Sequence, residues 1–300
     1  MLGNGLAVLF ALLAAVFAAI GIVVRQRATI DVPAEKGVST VMLRTLLRRK
    51  IWWLGTASAV AGYGFQAVAL GFGSLLLVQP VLVSALLFAL PLSARLAHRR
   101  VSRTEWLWAL VLTAALTVFV VLARASTGSY SVSSSTTVVV AVVCAAAVTV
   151  CVLAATRSTN WRRAVLLAVA VGVMFGVVAV LTKIVMHLVA EGSVLTALTT
   201  PALYLVVLLG VVATLLQQSA FHAGSLQTSV PTMLVLEPVV AVALGSIVLG
   251  EHPAITGIEP VALSFAIGAM AAATIALGRD EGAYEEQLEA ELEAKAADRV

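Results

Sequence analysis

Glu237, the acid in "VLEPVV" (235–240), is embedded in a long apolar stretch. A carboxyl group there can bind a cation or an amine, pass a proton, or stay neutral and hydrogen-bonded to a neighbouring helix. Its segment begins near Leu226, so it sits about 11 residues, or roughly 16 Å, along a helix. A bilayer's hydrocarbon core is about 30 Å thick, which puts Glu237 near the midplane of a spanning segment. A charge at that depth costs at least about 2.5–3.5 kcal/mol. Every other acid falls in a loop, at a helix end or in the C-terminal tail.

The residues around Glu237 sharpen the question. Ser229, Met233, Glu237, Ala241 and Gly245 recur at spacing four, so they share one face of a helix, small or polar except for Met233. Pro231 and Pro238 each remove a backbone donor, which frees the carbonyls of Gln227 and Leu234. Irregular backbone at membrane depth is tolerated where it faces protein or water. Lys183, in "VLTKIVMHLV", is the one lysine inside an apolar segment. It lies near the segment's outer end, where a lysine can snorkel as an interface anchor. The other reading makes it a counter-charge for Glu237 or for an anionic substrate group. Gln66 and Gln217 are either interhelical hydrogen bonds or substrate contacts, and Gln79 is expected to face an outer vestibule.

Other chemistry is poorly represented. Cys144 and Cys151 are seven apart in one apolar segment, so they share a helix face that one helix cannot bridge; they read as small packing residues. His187, His222 and His252 fall near helix ends and read as surface groups. There is no clustered ligand set, no nucleophile–base arrangement and no "GxxxxGK[ST]" loop. The expectation is therefore a protein that is not an enzyme, needs no cofactor and draws on a gradient rather than on ATP.

The elements that must position these residues follow from composition. Of the 300 residues 61% are hydrophobic and 11% charged, against roughly a quarter charged in a soluble domain. The chain reads as an all-α polytopic membrane protein with about nine transmembrane helices, near 3–24, 51–71, 74–95, 105–123, 135–155, 164–189, 199–220, 226–249 and 257–277. The first segment is too long, and lacks the basic start and cleavage site, for a signal peptide. The second and third segments, and the seventh and eighth, are joined so tightly that each pair should form a hairpin. Arginines and lysines follow the first, third and fifth segments, and the opposite loops hold few. The positive-inside rule then places the N-terminus outside and the C-terminus in the cytoplasm. The basic charge reports topology, not nucleic-acid binding. After residue 278 come Asp280, Glu281, Glu285, Glu286, Glu289, Glu291, Glu293 and Asp298 in helix-forming material, which reads as a short acidic cytoplasmic helix.

The chain also repeats itself. "QAVALGFGSLLLVQP" (66–80) aligns without gaps to residues 217–231, pairing Gln66 with Gln217, Gly73-Ser74-Leu75 with Gly224-Ser225-Leu226, and Pro80 with Pro231. By the topology above, the first turn lies outside and the second inside, so the repeats are inverted. Inverted repeats build many secondary transporters, with the binding site between them near the midplane. Gly73, Gly224, Pro80, Pro231 and Pro238 are the hinge or helix-break candidates. The same register places Leu86 opposite Glu237.

Residues 220–251, with "A-F-x-x-G-S-L" leading into "LEPVVAVALGSIVLGE", resemble the second repeat of EamA-type members of the drug/metabolite transporter superfamily. The stretch "WWLGTASAVAGYGFQAVALGFGSLLLVQPVLVSALL" (52–87) and the nine-segment layout are similar to the NIPA-like magnesium transporters of that superfamily. The acid that often closes the hairpin's second helix in that family is present as Glu251, whereas the first repeat reads "PLSAR". The resemblance implies a first repeat of four helices over 1–124, a second of five over 135–277 and a tail over 278–300. It implies a gradient-driven exporter of a small metabolite or drug, working by alternating access, and the Ala- and Val-rich composition with Arg favoured over Lys points to a bacterial inner membrane. Its substrate would meet Glu237, Ser229, Gln66, Gln217, Gln79 and Lys183. A divalent-cation carrier, with Glu237 as the metal ligand, is the alternative, although magnesium favours several carboxylates and retained waters. A non-transporting scaffold with a recruiting tail is the third reading. The expected partners are lipid and the substrate, with a homodimer left open.

Overall fold

Backbone polar groups in so apolar a chain have no water to bond, so each segment must satisfy its own, and it does so as helix. A computed structural model describes residues 2–30, 48–96, 100–122, 134–158, 160–192, 194–223, 226–251 and 259–277. Gly224 and the acidic tail from 278 lie outside these residues, as do the side chains of Ser229 and Pro231. In chain order the helices are α1 (Leu2–Ile30), α2 (Lys50–Phe72), α3 (Leu75–Leu82), α4 (Ala85–Leu96), α5 (Arg103–Leu122) and α6 (Ser134–Thr156). They continue as α7 (Asn160–Glu191), α8 (Val194–Thr199), α9 (Pro201–Ala223), α10 (Leu226–Val248) and α11 (Glu259–Leu277). Among the described residues six segments are long and apolar enough to cross a membrane, one of them, Leu75–Leu92, shared by α3 and α4. The protein is a helical, multi-pass membrane protein.

Small residues set how closely the helices approach. α1 and α2 run antiparallel, with Gly3 beside Phe72, Gly62 beside Ala18 and Gly21 beside Ala59. A Cβ on Gly21 would lie 2.9 Å from the Ala59 backbone nitrogen. Backbones this close gain dispersion contacts, which carry helix association where lipid is as apolar as the protein. Phe10 stacks on Phe65 and Phe72 to close the seam. α7 and α10 run parallel and meet through Gly172 and Gly176, whose missing side chains admit Leu236 and Val240. That contact flanks Glu237. α7 is the central element, packing against α2, α6, α9 and α10. α6 lies at the edge, with Val138, Val139, Val142, Val143 and Val150 turned outward as a lipid-facing surface.

The third segment differs from the expectation of one helix over 74–95. It breaks at Val83–Ser84 into α3 and α4. Pro80 offers no N–H to the Leu76 carbonyl, and the helix tightens beyond it. Val83 N–H donates to Pro80 O (3.2 Å) and Ser84 N–H to Val81 O (3.0 Å), an i to i−3 pattern that Leu86 and Leu87 repeat. Residues 73–81 are buried throughout, so the break lies inside the bundle.

α5 is set by a reciprocal cap. The Glu105 N–H donates to Ser102 Oγ (3.1 Å), while Glu105 Oε2 accepts from the Ser102 N–H (2.6 Å).

The glycine seams give the first prediction. Gly21→Ala pushes into backbone and should cost about 1–3 kcal/mol, seen as a lower melting temperature of the full chain in detergent. Gly210→Ala, with open space around it, should leave the melting temperature unchanged.

Candidate functional site

Two polar centres occupy the interior. The first is built on the turn at Gly73–Ser74 that joins α2 to α3. A helix end leaves backbone groups without partners, and burial makes that costly. Here both ends are satisfied. At the end of α2, Lys183 of α7 donates from Nζ to Leu70 O (2.6 Å) and to Gly73 O. At the start of α3, Glu251 Oε2 accepts from the N–H groups of Leu75 (2.8 Å) and Leu76 (3.4 Å). Ser74 completes the cap, with Oγ accepting from Leu77 N–H and its carbonyl from Val78 N–H. The cation thus sits at the negative end of one helix dipole and the carboxylate at the positive end of another. Lys183 and Glu251 also feel each other's charge across the turn. Both are almost fully buried.

The second centre is Glu237. Met233, one turn earlier on α10, is buried and receives a weak hydrogen bond at 3.9 Å from Gln217 Nε2 of α9. Glu237 itself is only part-buried, and none of the described residues hydrogen-bonds its carboxyl group. Tyr63 Oη is hydrogen-bonded to Thr182 Oγ1, and Thr182 in turn bonds Val178 O (2.7 Å).

The sequence-derived candidates therefore divide. Lys183 is no snorkelling anchor, because it is buried and its hydrogen bonds go to the turn. Both of its hydrogen bonds go to backbone carbonyls, at the turn whose other side is capped by Glu251. Gln79 does not face a vestibule; it is buried on α3, and its Nε2 has no hydrogen-bond partner. Gln217 does reach across its hairpin to Met233, whereas Gln66 is part-buried and makes no side-chain hydrogen bond. Gly73 is extended (φ −129°), held to Ala69 O through its N–H. Glycine is needed there because a Cβ would lie 2.5 Å from Ala7 Cβ. Pro80 sits inside α3, and Pro231 and Pro238 lie within α10 without ending it. Two grooves on the outside of the bundle, one beside Leu90, Pro91 and Trp106 and one beside Pro201 and Tyr204, do not include Glu237.

Sequence reasoning missed three participants. Tyr63 and Thr182 are ordinary residue types in apolar helices, and only the fold makes them adjacent. Ser84, buried with an unpartnered hydroxyl at the α3–α4 break, was hidden by the assumption of a continuous helix.

The capped turn makes a thermodynamic prediction. Lys183→Met removes two hydrogen bonds from a charged group, and Glu251→Gln leaves two neutral ones in place of charged ones; hydrogen bonds to charged groups are worth about 1.5–3 kcal/mol. Each should lower the melting temperature. The double variant should lose less than the sum, because each single change strands the opposite charge.

The chain is 38% identical over 279 residues to an uncharacterized protein of Corynebacterium glutamicum, covering 93% of this chain and 96% of that one. No family model matches, and no solved structure matches. At this identity and coverage the chain belongs to the same family as the corynebacterial protein.

Proposed function

We propose that the protein is a gradient-driven secondary transporter that exports a small metabolite or drug across the bacterial inner membrane by alternating access. The carrying observation is Glu237: a part-buried carboxyl group halfway along an apolar helix, with no hydrogen bond from any described residue. A structural acid at this depth would be tied to a neighbour, as Glu251 is. One left free to meet a ligand or a proton is suited to exchanging the two.

The arrangement of the turns supports the inverted-repeat reading. The Gly73–Ser74 turn bonds Glu251, beyond the C-terminal end of α10, whereas the α9–α10 connection precedes that helix's N-terminal end. The two turns thus lie at opposite ends of α10. The broken α3–α4 segment is also what carriers use at their sites, since freed carbonyls can face substrate. In this reading the drug/metabolite superfamily is the wider relationship. Arg49 and Lys50 at the start of α2, and Arg162 and Arg163 at the start of α7, lie at the end opposite the Lys183–Glu251 turn. That end is the cytoplasmic one under the positive-inside rule, which leaves the N-terminus outside.

For the divalent-cation alternative, Glu237 and Glu251 would have to cooperate, yet Glu251 is engaged by two backbone N–H groups at the end of its helix. Among the described residues no three His, Cys, Asp or Glu side chains gather.

The test is flux through the purified chain in liposomes, with candidate substrates under an imposed proton gradient and, separately, with magnesium. Substrate flux should fall at least tenfold in Glu237→Gln, on the scale of one lost charged interaction of about 1.5–3 kcal/mol, with the melting temperature retained. Magnesium flux that disappears in Glu237→Gln would replace this reading by the cation carrier.

A further inference from the structure

The arginines at the end of the bundle opposite the Lys183–Glu251 turn do not all have the same surroundings. α5 packs against α3 and stands off α4, and a groove of about 500 Å³ runs between α4 and α5 on the outside of the bundle. Its walls are Leu87, Leu90 and Pro91 on one side and Trp106, Leu107 and Leu110 on the other. Arg103 and Thr113 also line it, ten positions apart along α5. Thr113 donates its hydroxyl proton to Ala109 O (2.8 Å), so it has no donor left for a ligand. Arg103 is exposed and makes no ion pair with any described residue. Glu105, the acid in the same turn, is buried and accepts from the Ser102 N–H (2.6 Å). The groove therefore has one cationic end and a mostly apolar length.

Its depth is informative too. Arg103 opens the membrane-crossing segment Arg103–Leu122, and the rise from it to Thr113 is about 15 Å at 1.5 Å per residue. That is half of a hydrocarbon core of about 30 Å, the depth of a single leaflet. Arg95, in the last turn of α4, and Arg100 are both exposed and add positive charge at the same end.

We propose that this groove holds an anionic phospholipid of the adjoining leaflet, with its phosphate at Arg103 and one acyl chain laid along Leu90, Leu107 and Leu110 toward Thr113. The inference is independent of the transporter reading. A guanidinium pairs with phosphate through two parallel N–H donors, and a tryptophan one turn further in suits the headgroup level. A soluble metabolite of this length would press its own polar groups against apolar walls. A phospholipid has polar groups at one end only. The positive-inside rule puts this end in the cytoplasmic leaflet, whose anionic lipids attract basic side chains.

The test uses the full chain in a neutral detergent, titrated with phosphatidylglycerol, with phosphatidylcholine of the same chains, and with glycerol phosphate. Bound adducts are read by native mass spectrometry, and fold retention by melting temperature. Phosphatidylglycerol should bind about tenfold more tightly than phosphatidylcholine, the scale of one hydrogen bond between charged groups, and glycerol phosphate should not bind. Arg103→Gln should remove that preference while keeping the lipid-free melting temperature. Leu110→Trp fills the groove and should displace the lipid although Arg103 remains. Arg163→Gln removes an exposed arginine of α7 at the same end and should change nothing. A preference that survives Arg103→Gln, or that falls as far in Arg163→Gln, overturns the site in favour of general attraction to a basic surface. Binding of glycerol phosphate that depends on Arg103 would make this a free-phosphate site and overturns the lipid. A chain that is dimeric by light scattering and becomes monomeric in Leu110→Trp has a second copy seated in the groove, which overturns the proposal as well.

Discussion

A buried charge in an apolar bundle must be answered by protein, and the Lys183–Glu251 turn is where this chain meets that demand most fully. Two helix ends that would each leave polar groups stranded are brought together at Gly73–Ser74. One is answered by a cation from α7, the other by a carboxylate after α10. Four elements are thereby fixed at one end of the molecule. The cap also lets α3 run through the core with every residue from Leu75 to Val81 buried. Without it, neither the α2 end nor the α3 start could leave solvent cheaply.

Against that fully paired centre, Glu237 stands out by what it lacks. Both acids belong to the same stretch of chain, yet one is held by two backbone donors and the other by none among the described residues. The close α7–α10 seam at Gly172 and Gly176 holds the backbone beside Glu237 firmly while leaving its side chain part-buried. A rigid support carrying an uncommitted carboxyl group is how a binding site is made precise without being filled by the protein itself. The paired centre is structural, and the unpaired one is the group the proposed transport would use.

How much of this could be read beforehand depends on the range of the interaction. Hydropathy is local, so the helix around Glu237, and its place halfway along it, were accessible from the chain. The Gly73–Ser74 turn and Pro80 were visible too, although the i to i−3 tightening that splits α3 from α4 appears only with the backbone. Lys183 was misread because its distance from the segment end suggested snorkelling. Its hydrogen-bond partners lie more than 100 residues away in sequence, at Leu70 and Gly73. Glu251 was noticed for its place after the helix, but its task as a cap needed the N-terminus of α3 to arrive from elsewhere. Gly172 and Gly176 form a small-residue spacing that is legible by rule, whereas the Tyr63–Thr182–Val178 chain has no sequence signature at all. Nothing in the residue types announces which hydroxyl holds which proton.

The central claim is that Glu237 meets water and ligand from alternating sides. The direct measurement replaces Cys144 and Cys151 by alanine, introduces Glu237→Cys, and reacts oriented vesicles with a membrane-impermeant maleimide added from either face. The account predicts labelling from both faces, with the balance shifted by an imposed proton gradient. A position 237 that stays inert from both sides, in protein whose melting temperature is unchanged, would contradict it.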